Sequence, residues 1–453
     1  MMYTLLISKL VFPLQELLKR HTTLAVRRRM EASQYWRPEQ LEALRLQRLR
    51  ALLLRAQQHV PYYRDLFAQL GFEPARDLHT LDDLRRLPLT DKATIRANSE
   101  RLKADDAVGL ARFNTGGSSG EPLIFYIGKE RVSHDVAAKW RATRWWGVDI
   151  GDPEIVVWGS PIELGAQDRM RGLRDRLMRT ALLPAFEMSA AKVDGFIAAI
   201  RARRPRMLFG YPSALSHIAR HARAHGQRLD DLGIKVAFVT SERLYDEQRQ
   251  LIESTFGCPV ANGYGGRDAG FIAHQCPQGG MHITAEDIIV ETIGADGQPV
   301  APGTPGEIVV THLATGDFPF IRYRTGDVGV LGTQACSCGR TLPLLQEIQG
   351  RSTDFLVAQD GTVMHGLALI YILRDLPQVK AFKIVQESLE HTCVQVVLEQ
   401  ALDEQLRQRI ESGFRARLGA GVQVEVQQVD AIAPERSGKY RYVISKVEAG
   451  MAA

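Results

Sequence analysis

Between residues 110 and 350, short apolar runs alternate with helical patterns and glycine-rich turns, and this alternation strongly constrains the fold. Helical patterns at 193–203 and 213–225 separate apolar runs of only three or four residues. Such short apolar runs are typical of strands buried on both faces, so the pattern predicts an α/β domain with a buried parallel sheet. The predicted strands are 155–158, 207–209, 236–239 and 258–260.

Two other segments depart from this alternation. Residues 286–332 contain two β-branched runs on either side of Gly/Pro-rich turns, which predicts an antiparallel β segment. After residue 350, three strand-like runs and an amphipathic pattern at 403–418 predict a small α+β unit.

The chain has 453 residues, which is too long for one small domain. We expect a large N-terminal domain over residues 1–350, in which residues 1–70 form a helical lead-in. A small C-terminal α+β domain is expected over residues 351–453.

Composition excludes several classes of protein. Apolar residues make up 45% and charged residues 24%, which is typical of globular chains and not of disordered, collagen-like or coiled-coil ones. The net charge of +5 is too dilute to indicate a nucleic-acid-binding protein. Five cysteines are too few for a disulfide scaffold, so we expect a reducing, cytoplasmic environment.

The N-terminal residues 1–17 are apolar but are interrupted by Lys9, Pro13 and Gln15. No run reaches the roughly 18 apolar residues that a membrane span needs, so no transmembrane segment is expected. Two interpretations stay open: a helix packed on its own domain, which is favoured, or an amphipathic helix on a membrane surface.

Residues 36–70 predict a helix or two helices separated near Pro61. Arg45, Arg48, Arg50 and Arg55 recur along it, and a solvated basic face is the simplest interpretation.

The most distinctive local pattern is the run from Asn114 to Pro122, which reads NTGGSSGEP. Its glycines let a backbone approach an anion closely, and its hydroxyls and N–H groups are donors for phosphate. The G-K-[ST] ending of a Walker loop is absent. A plain Ser/Gly turn is the alternative interpretation.

Further clusters of glycine and charged residues occur downstream. In residues 262–268, Tyr264 between glycines can lie beside a flat base, and Asp268 offers carboxylate oxygens to a metal. Asp327, next to a glycine, suits a pair of ribose hydroxyls. Lys439 lies in a glycine-containing turn near the C-terminus. Each cluster, taken alone, is equally explained by ordinary loop chemistry.

In order and spacing these clusters resemble the adenylate-forming superfamily of acyl-CoA synthetases and ligases. Within it, the chain is similar to the phenylacetate–CoA ligase branch and its CapK-like members from capsule biosynthesis. The resemblance covers roughly residues 35–447. The matching segments are TGGSSG at 115–120, GYPSAL at 210–215, YGGRD at 264–268, RYRTGD at 322–327, GR at 350–351 and SGK at 437–439.

This resemblance implies an ATP-binding N-terminal domain and a small, mobile C-terminal domain. Tyr264 and Gly265 would face the adenine, and Asp327 would bind the ribose hydroxyls with Arg351 nearby. The residues that would wrap the ATP phosphates are Thr115, Gly116, Gly117, Ser118, Ser119 and Gly120.

The resemblance also implies two catalytic residues. Lys439 would bridge the substrate carboxylate and the α-phosphate, and Asp268 would ligate Mg²⁺. The chain departs from the family pattern at four places, one of which is Pro434, a position later than the family's usual Pro. Asp268 replaces the usual Glu, Arg267 replaces the Ser or Thr before it, and Thr353 stands where the hinge is often Asp or Lys.

Cysteine spacing indicates a separate metal site. Cys276 and His282 are followed, after a β segment, by Cys336 and Cys338. Three thiols and one imidazole suit a structural, tetrahedral Zn²⁺, and similar Cys and His positions occur in relatives on this branch. Unligated cysteines in turns are the alternative.

The favoured function is therefore activation of a small carboxylic acid by ATP, followed by transfer to coenzyme A. The alternative within the enzyme class is transfer to an amine, a hydroxyl or a carrier-protein thiol in a polysaccharide or secondary-metabolite pathway. A degenerate nucleotide-binding module is the non-enzymatic alternative, supported only by Arg267 and Thr353. No nucleic-acid partner is expected, and a homodimer is left open.

Overall fold

A computed structural model describes residues 2–114, 123–158, 169–185, 190–351, 355–360, 363–365, 367–374, 376–432 and 443–447. These ranges contain N-terminal helices, a seven-stranded sheet, a four-stranded antiparallel sheet and a smaller α+β unit beyond residue 355. The α/β fold predicted from the sequence is confirmed.

Helices dominate the first hundred residues. Proline disfavours helical geometry in the residue before it, and Val60 is extended (φ −109°, ψ 106°) next to Pro61. The predicted stretch 36–70 is therefore two helices. The helical elements are α1 (Met2–Leu6), a π-helical turn (Ile7–Val11), α2 (Phe12–Leu18), α3 (Thr23–Ser33), α4 (Pro38–His59), α5 (Pro61–Leu70), α6 (Pro74–Asp77), a 3₁₀ turn (Leu81–Arg86) and α7 (Lys92–Ala97).

Two arginines of α4 are paired with carboxylates instead of lying on the solvated face that the sequence predicts. Arg48 forms an ion pair with the buried carboxylate of Asp287. Arg55 forms 2.8 Å ion pairs with Asp106 and Asp317. The prediction is wrong for these two residues because helical periodicity shows which side chains share a face, and not what packs against that face.

The central sheet follows a two-stranded hairpin. The strands are β1 (Ala111–Asn114), β2 (Ile124–Ile127), β3 (Glu154–Trp158), β4 (Thr180–Pro184), β5 (Met207–Gly210), β6 (Val236–Thr240), β7 (Val260–Gly266), β8 (Gly270–Gln275) and β9 (Met281–Ile283). The helices of this region are α8 (Lys129–Trp145), α9 (Arg169–Met178), α10 (Ala190–Arg203), α11 (Pro212–Ala224) and α12 (Asp246–Phe256).

The strand order of the central sheet is β4-β3-β5-β6-β7-β8-β9. The first five strands are parallel, and β8 and β9 complete the sheet in antiparallel pairing. Apolar clusters lie on both faces of β5 and β6, which explains why these short strands are apolar at almost every position.

A four-stranded antiparallel sheet follows, as predicted. It contains β10 (Ile288–Ile293), β11 (Pro305–His312), β12 (Tyr323–Leu331) and β13 (Leu345–Arg351), in that order.

The C-terminal unit has a core of its own. Its elements are β14 (Phe355–Val357), β15 (Val363–His365), α13 (Leu367–Arg374), β16 (Val379–Gln386), β17 (His391–Leu398), α14 (Glu404–Leu418), β18 (Gln423–Gln428) and β19 (Val443–Ser445). Asp403 caps α14 by accepting a 2.7 Å hydrogen bond from the Leu406 N–H. Leu406, Ile410, Phe414 and Leu418 recur every four residues and are buried in this core. The domain boundary at residues 350–351 stays a prediction.

Candidate active site

The site predicted to face the nucleotide begins at the turn between β7 and β8. Gly265 lies where the two strands come closest: a Cβ there would be 2.2 Å from the carbonyl oxygen of Gly270. Only glycine fits this position without moving the backbone, which explains why a Tyr-Gly-Gly sequence occurs here. The hairpin presents Tyr264 and Asp268 toward β12.

Tyr264 and Asp327, which the sequence assigns to adenine and ribose, are in direct contact. The Tyr264 hydroxyl donates a 2.8 Å hydrogen bond to Oδ2 of Asp327. The Asp327 N–H donates to Oγ1 of Thr325 (3.1 Å), whose hydroxyl donates to the Ile308 carbonyl (2.8 Å). These contacts hold both the side chain and the backbone of Asp327, and so orient its carboxylate.

Asp268 is held in the same way from the other side of the turn. Its Oδ1 accepts from the Ala269 N–H (3.1 Å), and its Oδ2 accepts a 2.6 Å hydrogen bond from the hydroxyl of buried Tyr323. Behind the turn, buried Arg131 donates a 2.6 Å hydrogen bond to the Arg267 carbonyl. Arg131 and Tyr323 therefore fix the turn that carries Asp268.

Neither supporting residue was assigned a role from sequence. Tyr323 lies inside the RYRTGD segment, so that motif was the available signal. Arg131 lies on α8, about 136 residues from its partner, and no local pattern distinguishes it from other helix arginines.

The remaining predicted nucleotide ligands are only partly described. Arg351 is the cross-strand neighbour of Asp327 in the pairing of β12 with β13, so the two backbones are adjacent. Residues 115–120 and Lys439 lie outside the described residues. Asn114 and Ile124, on either side of the predicted phosphate loop, are paired in the β1–β2 hairpin.

Aromatic rings line the carboxyl ends of two central strands. Trp158 ends β3, and its ring stacks 4.2 Å from Tyr211, which follows β5. Trp158 also stacks at 5.9 Å on Phe209, which stacks at 6.0 Å on Phe238. Ligands of open α/β sheets bind outside the carboxyl ends of the strands, so half-buried Trp158 is placed to meet one, with buried Tyr211 packed behind it.

The four predicted metal ligands form a separate cluster. One ligand atom from each of Cys276, His282, Cys336 and Cys338 lies within 4.8 Å of every other. The Sγ atoms of Cys276 and Cys336 are 3.6 Å apart, and Nε2 of His282 is 3.2 Å from Sγ of Cys338. Tetrahedral zinc with bonds of about 2.0–2.3 Å puts its ligand atoms roughly 3.5–3.8 Å apart, so the set fits.

The protonation of these groups also suits a metal. Burial lowers the pKa of His282 to about 4, which keeps the imidazole in the neutral form that binds metals. Its Nδ1 lies 3.3 Å from the Leu342 carbonyl, which leaves Nε2 as the ligand atom. Burial raises the pKa of the Cys276 thiol to about 11, so its thiolate needs a cation beside it.

Comparison with known proteins finds similar chains. Residues 356–446 match the CapK C-terminal domain. The chain is 26% identical over 394 residues to phenylacetate–coenzyme A ligase of Thermus thermophilus, covering 85% of this chain and 84% of that protein. It is 23% identical over 373 residues to Protein CapK of Staphylococcus aureus, covering 82% of each. The chain is a homologue of phenylacetate–coenzyme A ligases and CapK.

Solved structures of similar fold include a CoA ligase. A 2-hydroxyisobutyryl-CoA ligase in the postadenylation state aligns over 91% of both chains, with a TM-score of 0.72 and 22% identity. The same ligase in the thioesterification state aligns with a TM-score of 0.61. The fold is therefore that of adenylate-forming CoA ligases, with the C-terminal domain that the sequence predicts.

Proposed function

We propose that this homologue is an AMP-forming acid–CoA ligase. A carboxylate oxygen of the substrate attacks the α-phosphorus of ATP and pyrophosphate leaves, which gives an acyl-adenylate. The sulfur of coenzyme A then attacks the acyl carbon, and AMP leaves. The observation that carries the proposal is the contact between Tyr264 and Asp327, in a chain similar to a phenylacetate–CoA ligase over 85% of its length.

The site residues are given these roles. Asp327 accepts the ribose hydroxyls, Tyr264 and Gly265 lie against the adenine, and Arg351 lies on the ribose or phosphate side. Residues 115–120 bind the phosphates through their N–H and hydroxyl groups. Lys439 offsets the repulsion between the carboxylate and the α-phosphate, both of which are anions.

Asp268 is the proposed Mg²⁺ ligand. Mg²⁺ in nucleotide sites is usually held by one or two carboxylates together with substrate phosphates, and an oriented carboxylate at this turn fits that requirement. Mg²⁺ would supply charge neutralisation at the phosphates. The hydrogen bond from Tyr323 holds the Asp268 carboxylate in position.

Zn²⁺ is proposed as a structural ion at Cys276, His282, Cys336 and Cys338. Four ligands close the coordination sphere, so a substrate has no open position there. The cytoplasm stays the proposed compartment, since none of the five cysteines forms a disulfide.

Carboxylate-dependent exchange of labelled pyrophosphate into ATP tests the first half-reaction. Aromatic acids come first on the substrate panel because Trp158 and Tyr211 form an aromatic wall at the sheet's edge. If no acid on a broad panel supports exchange, the result would favour the nucleotide-binding module instead.

The acceptor is tested separately. The match to the CapK C-terminal domain favours keeping amines, hydroxyls and carrier-protein thiols as second candidates. Thioester formed from coenzyme A at the rate of AMP release supports the CoA ligase. Exchange with no thioester would assign the acyl group to another acceptor.

A further inference from the structure

The N-terminal helices carry an apolar face that the described part of the chain leaves exposed. It consists of Met2, Leu5, Leu6, Leu10, Leu14, Leu17 and Leu18, which we call the leucine face. Each of these side chains is between 45% and 88% exposed. Among the exposed large apolar side chains of the described residues, most belong to this short stretch.

The opposite side of the same helices is fixed to the domain. Ile7 is buried against Gly151, and the Phe12 ring packs edge-on against Trp140 at 5.1 Å. The Thr4 hydroxyl donates a 2.9 Å hydrogen bond to Asp152. The favoured prediction of a helix packed on its own domain therefore accounts for one side only.

The π-helical turn at Ile7–Val11 helps keep the exposed leucines in line. Leu6, Leu10 and Leu14 are spaced by four residues, and an α-helix has about 3.6 residues per turn, so such leucines drift around its axis. A π turn takes more residues and reduces the drift. The result is one continuous apolar strip along α1 and α2.

Charge around the strip indicates what covers it. The whole chain has 57 basic and 52 acidic side chains, and its first thirty residues hold six basic and one acidic, which leaves 51 of each elsewhere. The single acid, Glu16, is buried and bonded to Thr23 and His21. The chain's excess positive charge thus lies entirely within its first thirty residues, which include the leucine face.

Three of these cations lie on or directly after the helices themselves. Lys9, Lys19 and Arg20 are exposed, and none of them forms an ion pair within the described part of the chain. The end of α9 lies next to this surface. The Tyr3 hydroxyl donates a 2.9 Å hydrogen bond to the Leu177 carbonyl, and the Arg179 guanidinium lies 5.2 Å from the centre of the Tyr3 ring.

We propose that the leucine face lies in the surface of an anionic lipid bilayer, with Lys9, Lys19 and Arg20 at the lipid phosphates. An apolar helix face flanked by Lys and Arg is the pattern of helices that lie in a membrane interface. A second copy of the chain fits less well, because a symmetric contact would bring two sets of these unpaired cations together. No helix among the described residues has the length and apolarity to cross a bilayer.

Flotation of the full chain with vesicles tests the proposal. One set contains equal parts phosphatidylglycerol and phosphatidylcholine, and the other contains phosphatidylcholine alone. We expect binding to the anionic vesicles only, weakened by high salt because surface charges are screened within about 10 Å at 0.1 M salt. Equal binding to both sets, or to neither, overturns the proposal.

Two variants assign the binding to the face. Leu10→Ser/Leu14→Ser should lower anionic-vesicle affinity by roughly tenfold or more, because two half-exposed leucines no longer enter the lipid. Lys9→Gln/Lys19→Gln/Arg20→Gln should lower it by roughly a hundredfold, at about fivefold per cation. Leu70→Ser/Val108→Ser, exposed elsewhere, and Arg203→Gln/Arg228→Gln/Arg409→Gln are the matched controls.

Pyrophosphate exchange of each variant is measured in parallel and should equal that of the unmodified chain, which separates this proposal from the proposed function. Sedimentation of the lipid-free protein tests whether a second copy of the chain covers the leucine face instead. A dimer abolished by Leu10→Ser/Leu14→Ser, together with vesicle binding unchanged by it, would assign the face to a second copy and overturn the proposal.

Discussion

At the scale of single residues, the Tyr264–Asp327 pair makes a quantitative prediction. Hydrogen bonds to a charged group are worth about 1.5–3 kcal/mol, so Asp327→Ala should raise the KM for ATP by roughly tenfold or more. Tyr264→Phe keeps the ring but removes the 2.8 Å bond, so its effect should be smaller. Initial rates at varied ATP test both variants, and an unchanged KM in Asp327→Ala would contradict the ribose assignment.

Another residue predicts how stability depends on pH. His274 is buried between Phe238 and Phe271, neither ring nitrogen has a hydrogen-bond partner in the described structure, and burial lowers its pKa to about 3. Its unfolded pKa is near 6.5, so the unfolded chain binds the proton first as pH falls. The contribution of neutral His274 to the free energy of unfolding is complete above pH 6.5 and is lost as the pH falls from 6.5 to about 3.

The effect is measured as the free energy of unfolding in denaturant at several pH values. His274→Leu should reduce the slope between pH 6 and 4 by up to about 1.4 kcal/mol per pH unit. His79→Leu, at an exposed position, is the control. Equal slopes in all three proteins would mean that His274 is solvated in solution.

At the scale of elements, local sequence predicted three of the four central strands well and their surroundings poorly. The run predicted at 258–260 is wrong except at Val260, where β7 begins. The runs at 155–158, 207–209 and 236–239 lie in parallel strands β3, β5 and β6, because burial on both faces selects apolar residues at nearly every position. The ion pair of Arg48 with Asp287 was not predictable, since the partners are 239 residues apart. Arg131 was missed for the same reason. Family motifs supplied Tyr264 and Asp327, but their contact depends on how two sheets pack.

The proposed zinc site joins elements of both sheets. Cys276 and His282 belong to β8, β9 and their connection, whereas Cys336 and Cys338 lie between β12 and β13. Cys336→Ser should lose about one bound Zn²⁺ per chain and lower the melting temperature by at least about 5 °C. Elemental analysis and thermal unfolding test this, with Cys393→Ser as the matched control. Unmodified protein that binds no zinc would contradict the site.

At the scale of the whole molecule, Lys439 tests whether the C-terminal unit moves between half-reactions. In the proposed mechanism, the charge of Lys439 would be needed while two anions react, and hardly at all once the adenylate exists. Lys439→Ala should slow pyrophosphate exchange by on the order of 10²–10³ and largely spare thioester formation from a synthetic acyl-adenylate. Equal losses in both half-reactions would indicate damaged folding. The control is Lys446→Ala, which removes a lysine that pairs with Glu387.

The 3.6 Å separation of the Cys276 and Cys336 sulfurs also has a consequence for oxidation. A disulfide bond is about 2.05 Å long, so a small side-chain rotation would join the two thiols once no cation holds them apart. Oxidation would consume two of the four ligands and leave His282 and Cys338 unable to bind zinc tightly. Metal-stripped protein kept in air would therefore lose the ability to take zinc back, and a thiol reductant would restore it.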